Sequence, residues 1–181
     1  MISAFGVAFW IGLLRPITSF DEFGFLLALS IWSTFNEPYA RLWVLGVISA
    51  VPAATAVALW SSGRQLSALP VMAALMIVTG VGGGARLKIP GEILVAFAAI
   101  GAWFIGTKAA QSVDGMSPRG FILGASLGPV MLLACFLSLL GRLKAEWRDI
   151  ACRAVAVSIA AIGMMTWTFE LWRAHSSMLL R

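Results

Sequence analysis

Few residues in this chain have side chains suited to chemistry. The stretch "GLLRPITSFDEFGFLLAL" sets Arg15, Pro16, Asp21 and Glu22 between two strongly apolar runs. Glu92 follows in "KIPGE" and Asp114 in "TKAAQSVDGMSPR". A cation and two carboxylates this close suit an ion pair, in which each charge favours the ionised form of the other. If a small solute or metal ion crosses here, Asp21, Glu22, Glu92 and Asp114 are the candidate cavity residues. The other standard constellations are missing. His175 is the single histidine, and Cys135 and Cys152 form no C-x-x-C pair, so zinc and disulfide frameworks are unsupported. "GVGGGAR" lacks the Lys-Ser/Thr of a phosphate-binding loop. No nucleophile stands in sequence with a base and its orienter. The expectation is a non-enzymatic protein with no cofactor and no metal site.

The elements that hold these residues follow from composition. Of 181 residues, 60% are hydrophobic and 12% charged, and mean hydropathy is +0.93. Soluble domains are roughly half apolar and about one quarter charged, so the surrounding solvent is lipid. The 13 Lys and Arg exceed the 8 Asp and Glu, but they are spread singly through short connectors. That is topology marking and not the basic patch of a nucleic-acid binder. The start, "MISAFGVAFW", has no basic region and no small-residue cleavage site before the charged stretch, so it reads as retained structure and not a leader. One integral membrane domain over residues 1–181 is expected.

A spanning helix needs about 20 mostly apolar residues. Five segments qualify: Leu42–Trp60, Leu66–Ala85, Ile93–Ala110, Phe121–Leu140 and Ala151–Trp172. Met1–Leu14 and Phe23–Phe35 are apolar but short, and read as two short helices or one re-entrant unit broken at Arg15–Glu22. The fold class is therefore all-α, a polytopic transmembrane bundle of six to seven membrane segments. Pro16 is expected to end the first run. Thr18, Ser19 and Asp21 are candidate N-caps of the second, with Asp21 and Glu22 where the helix dipole favours negative charge. An ion pair of Arg15 with Asp21 or Glu22 is expected across this joint. Pro52 and Pro129 should kink their helices, and Pro90 should open one.

Arg41, Arg86, Lys88, Arg142, Lys144, Arg148 and Arg153 fall on one side, against Arg64, Lys108, Arg119, Arg173 and Arg181 on the other. The loop "GRLKAEWRD" decides for the cytoplasm, with the C-terminus periplasmic and the inner membrane as location. Trp43, Trp60, Trp147 and Trp172 fall at segment ends, as interfacial anchors do. Within the bilayer, small residues let helices approach closely. Gly120, Gly124 and Gly128 share one face, Gly80 and Gly84 repeat the spacing, and Ala102 and Gly106 continue it. Packing within the chain is preferred to a dimer seam.

Nearly the whole chain resembles the HupE/UreJ family of small bacterial inner-membrane proteins, associated with nickel supply to hydrogenase and urease. In "GLLRPITSFDEFGFLLALSIWS", Pro16 and Asp21 match that family's His-Pro-x-x-Gly-x-Asp-His signature, while Arg15, Ser19 and Glu22 stand at its first His, its Gly and its second His. "ALPVMAALMIVTGVGGGARLKIPGEILVAFAAIGAW" is similar to the family's glycine-rich and Pro-x-Glu region, with Glu92 near its acidic residue. "IGTKAAQSVDGMSPRGFILGASLG" lacks both histidines of the corresponding stretch, and Lys108 and Gln111 lie near their places. "RAVAVSIAAIGMMTW" resembles the closing helix. The resemblance implies the fold. It does not bring the nickel function, because nickel favours imidazole and a desolvated Arg15 or Lys108 would repel it. The expected role is a non-catalytic accessory subunit packed against a larger membrane complex, with lipid as its solvent and no nucleic-acid partner. The alternative is a transporter or permease with altered ligands.

Overall fold

The computed structural model describes residues 4–36, 44–45, 48, 50–60, 68–112 and 117–179. It holds helices α1 (Ala4–Thr18), α2 (Phe20–Thr34), α3 (Val51–Trp60), α4 (Ala68–Gly84), α5 (Gly91–Ala110), α6 (Pro118–Arg142) and α7 (Ala145–Leu179). No strand occurs among the described residues. Gly91–Ala110, Pro118–Arg142 and Trp147–Arg173 are long and apolar enough to cross a bilayer, so this is a membrane protein.

Five full spans were expected, and three described helices meet the criterion. α4 is 17 residues long, about 25 Å at 1.5 Å per residue. It ends one residue before the expected Ala85, and residues 61–67 ahead of it lie outside the described set. Leu87 N–H donates to the Gly82 carbonyl at 3.0 Å and Arg86 N–H to that of Gly83 at 3.3 Å, the paired closure of a Schellman cap. The capping position is normally glycine. Here Arg86 takes it with φ 53°. Two contacts hold it there: Nη2 lies 2.7 Å from Asp149 Oδ2, and the guanidinium sits 5.4 Å above the Phe35 ring. The left-handed conformation costs a non-glycine residue about 1 kcal/mol, so Arg86→Gly should lose the contacts but relieve the strain. Arg86→Ala should lose the contacts and keep the strain. Detergent melting temperatures should rank parent above Arg86→Gly above Arg86→Ala, and the reverse order of the two variants would disprove the strain. In the Leu42–Trp60 segment, Val44, Leu45, Ile48 and α3 are helical, and the remaining residues lie outside the described set.

The N-terminal pair runs in line and does not fold back on itself. Only Ser19 separates α1 from α2, with extended backbone at φ −90°, ψ 99°, and Ser19 N–H still donates to the Arg15 carbonyl at 2.8 Å. Pro16 does not end α1 as expected but lies inside its last turn. The N–H it lacks faces one turn back, and the chain recovers the helical pattern through Thr18 before breaking. Of the expected N-caps, Ser19 occupies the position without a side-chain bond, and Thr18 Oγ1 donates instead to the Arg15 carbonyl at 2.9 Å.

α1 and α2 run in line along α6, in its direction. The register is set by backbone contact through glycine. A Cβ on Gly120 would stand 2.5 Å from the Phe5 carbonyl oxygen, and one on Gly128 2.6 Å from that of Leu13. Gly124 meets the Phe9 carbonyl closer still, and Gly12 returns the contact 2.5 Å from the Phe121 carbonyl oxygen. Further along, Phe23 packs edge-on against Phe136 at 5.3 Å. The break at Ser19 therefore lies beside the middle of α6, near Pro129, which is inside that helix as expected.

The glycines of α4 divide in two. Gly80 lets α4 meet the α7 backbone, where a Cβ would stand 2.7 Å from the Ala156 carbonyl oxygen, while a Cβ on Gly84 would meet the Val157 side chain first, at 3.1 Å. Gly82, unremarked in the sequence, makes room for the Trp32 indole. Gly106 packs on Ala54 and Thr55 of α3, and Ala102 is buried. Pro52 occupies the first turn of α3 and interrupts no described helix. Pro90 is the N-cap of α5 and not its first helical residue. The core, with Phe25, Leu26, Leu29, Met72, Met76, Leu94 and Leu133, lies where α2, α4, α5 and α6 meet.

Candidate functional site

Three helix ends converge beside the midpoint of α6. Arg15 lies in the last turn of α1, Asp21 and Glu22 in the first turn of α2, and Lys108 in the last turn of α5. Each charge sits at the helix end whose dipole favours it, cations at C-termini and carboxylates at an N-terminus. Local sequence thus prepares the charges, and packing brings them together.

Arg15 Nη2 stands 3.4 Å from Glu22 Oε1, with side-chain exposures of 10% and 1%. Lys108 Nζ donates to both Asp21 oxygens, at 2.7 and 2.6 Å, and reaches 4.0 Å from Glu22 Oε1. The two pairs differ. Lys108–Asp21 has the length of a charge-assisted hydrogen bond. Arg15–Glu22 is an ion pair longer than a good hydrogen bond, and neither Arg15 Nη1 nor Glu22 Oε1 has a hydrogen-bond partner among the described residues. The quartet holds two cations and two carboxylates, so its charges cancel. Breaking either pair strands a desolvated charge.

Arg15, Asp21 and Glu22 are thus brought together, with Arg15 nearest Glu22. The fourth member, Lys108, is the addition sequence reasoning missed. It stood near a position where the resembling family has histidine, and it is a lone cation in the last turn of an apolar helix. Its partner is 87 residues away, which local pattern does not reveal. Glu92 is not part of the group. It is exposed in the first turn of α5, almost a full helix length from Lys108. Asp114 lies outside the described residues, and His175 is exposed on α7. Among the described residues, no three His, Cys, Asp or Glu side chains are grouped to hold a metal ion. A shallow groove of about 210 Å³ runs between α3 and α5, lined by residues such as Ala50, Ala54, Ala99 and Trp103 and by none of the four charged groups.

Hydroxyls within the helices are occupied as well. Ser30, Thr55, Thr79, Ser126 and Ser158 each donate to the carbonyl four residues earlier in their own helix. Within a helix the i−4 carbonyl is always within reach of a Ser or Thr hydroxyl. Compared with protein-family models, curated proteins and solved structures, the chain matches none.

Proposed function

We propose that the protein is a non-catalytic subunit of a larger membrane complex, an inner-membrane bundle whose quartet is structural. The observation that carries this reading is the internal cancellation of charge: both carboxylates of the quartet, Asp21 and Glu22, are already engaged by cations of the same chain. A transport route needs polar groups free to meet a solute. Here the carboxylates face Arg15 and Lys108, and the described hydroxyls named above are spent on their own helices. The resemblance to HupE/UreJ proteins stays a proposal about fold origin. Arg15 and Glu22, at the two histidine positions of that motif, face each other, which exchanges a ligand pair for an ion pair.

Six crossings fit this reading. The in-line α1–α2 rod accompanies α6 and crosses once; the segment ending in α3, then α4, α5, α6 and α7 follow with alternating direction. The 86–90 and 140–149 turns then face the cytoplasm, and the C-terminus lies outside. α7 has 35 residues, about 52 Å at 1.5 Å per residue, longer than a ~30 Å bilayer core requires. Its outer half exposes Met165 at 77% and Trp172 at 66%, with Met164 and Phe169 beside them. Aromatic and Met side chains are enriched where proteins meet, and this strip is the proposed contact.

Purification in gentle detergent is the test. The protein should elute in an assembly far larger than its own 19.3 kDa, and a photo-crosslinker at Met165 should join it to another polypeptide. A monomer that catalyses solute flux in proteoliposomes would replace the subunit reading with the transporter. A separate expectation concerns nickel and cobalt. Equilibrium dialysis should find no stoichiometric site of micromolar affinity, and one that survived His175→Ala would overturn the structural reading of the quartet.

A further inference from the structure

The end of the bundle remote from the N-terminus of α1 carries a concentration of positive charge that the subunit reading leaves unexplained. Arg86 and Lys88 lie in the turn after α4, Arg142 and Lys144 where α6 gives way to α7, and Arg148 and Arg153 on the first turns of α7. Glu92, Glu146 and Asp149 are the carboxylates of the same turns, so cations outnumber them. Asp149 is taken by Arg86 at 2.7 Å. Lys88, Arg142, Lys144 and Arg153 are exposed. The Nε atoms of Arg86 and Arg148 are buried without a hydrogen-bond partner among the described residues.

We propose that this end of the bundle binds the headgroup phosphate of an anionic phospholipid. Guanidinium and ammonium groups recognise phosphate through charge-assisted hydrogen bonds. Basic residues on the cytoplasmic side of transmembrane helices are a recurring solution for anionic headgroups. The surroundings select a lipid over a free anion. Trp147 at 68% exposure, Ile150 at 67% and Leu143 at 38% lie among the cations, and they place an apolar surface where acyl chains would continue from the phosphate. Trp at this level is an interfacial anchor. A zwitterionic lipid offers the same phosphate but brings its own cation, which the surplus positive charge disfavours. The site stands apart from the quartet, and the inference rests on the proposed function only for the cytoplasmic facing of this end.

The test is native mass spectrometry of the full chain from mixed micelles holding equimolar phosphatidylglycerol and phosphatidylcholine. The parent should retain phosphatidylglycerol at least about fivefold over phosphatidylcholine, the effect expected of one cation near a phosphate surface. Lys88→Gln/Arg142→Gln/Lys144→Gln should bring retention to parity, while Arg119→Gln/Arg173→Gln at the opposite end should leave the preference intact. If the triple variant does not fold in phosphatidylcholine micelles, Lys144→Gln alone must already lower the preference. Equal retention by the parent, or a preference that survives neutralisation, overturns the proposal. So does loss of bound phosphatidylglycerol to millimolar inorganic phosphate, which would make this a site for a free anion.

Discussion

Arg15→Ala is expected to lower stability by about 3–5 kcal/mol, the cost of removing one member of a buried ion pair and stranding the other. Glu22 would be left 1% exposed with Lys108 at 4.0 Å as its remaining cation. That ammonium already donates to both Asp21 oxygens, so it compensates in part. Folded yield and detergent melting temperature should both fall sharply. Removing the stranded charge should restore part of the loss, so Arg15→Ala/Glu22→Ala should be more stable than Arg15→Ala alone. Lys108→Ala should cost less than Arg15→Ala, because both Lys108 and Asp21 are more exposed, at 22% and 16%, and regain solvation more easily. Parental stability in Arg15→Ala would show that the pair does not hold the joint.

Gly124→Leu should be as damaging by a different mechanism. The missing side chain at Gly124 is filled by the Phe9 carbonyl and the Leu13 amide of α1. Backbone does not move aside as a flexible side chain does, so the whole of α1 must lift from α6. Overpacking ordinarily costs about 1–3 kcal/mol. Here the displaced helix also carries Arg15, and the upper end of that range or more is expected. Gly141→Leu is the control. On the same helix, a Cβ at Gly141 meets nothing within 4 Å, and its change should fall within about 0.5 kcal/mol of parent. Melting curves of the two variants side by side separate a packing face from a general intolerance of bulk.

Much of this arrangement was legible in the sequence. Composition fixed the solvent, and the four-residue spacing of Gly120, Gly124 and Gly128 marked the face that α1 covers. Arg15 and Glu22 announced a pair because charge is costly in an apolar run and lowers that cost in company. Three features were not legible. The end of α1 was misplaced because proline forbids one hydrogen bond but does not dictate which residue ends the helix. The closing turn of α4 was not legible because the left-handed Arg86 is held by Asp149 and Phe35, both distant in sequence. Lys108 was passed over because the pairing with Asp21 exists only once α5 lies against α2. For α4 and for Lys108, a contact distant in sequence decided the outcome.

The most direct measurement is thiol accessibility at the joint itself. Ser19→Cys, in a Cys135→Ser/Cys152→Ser background, places a thiol in the chain between Arg15 and Glu22. A membrane-impermeant methanethiosulfonate reagent should fail to modify it from either side of sealed vesicles, while a cysteine at Lys144 should react readily from one side. A structural, charge-balanced quartet predicts that contrast. Rapid modification of Cys at position 19 from either side would reveal a water-filled route to the charged groups and contradict the structural reading.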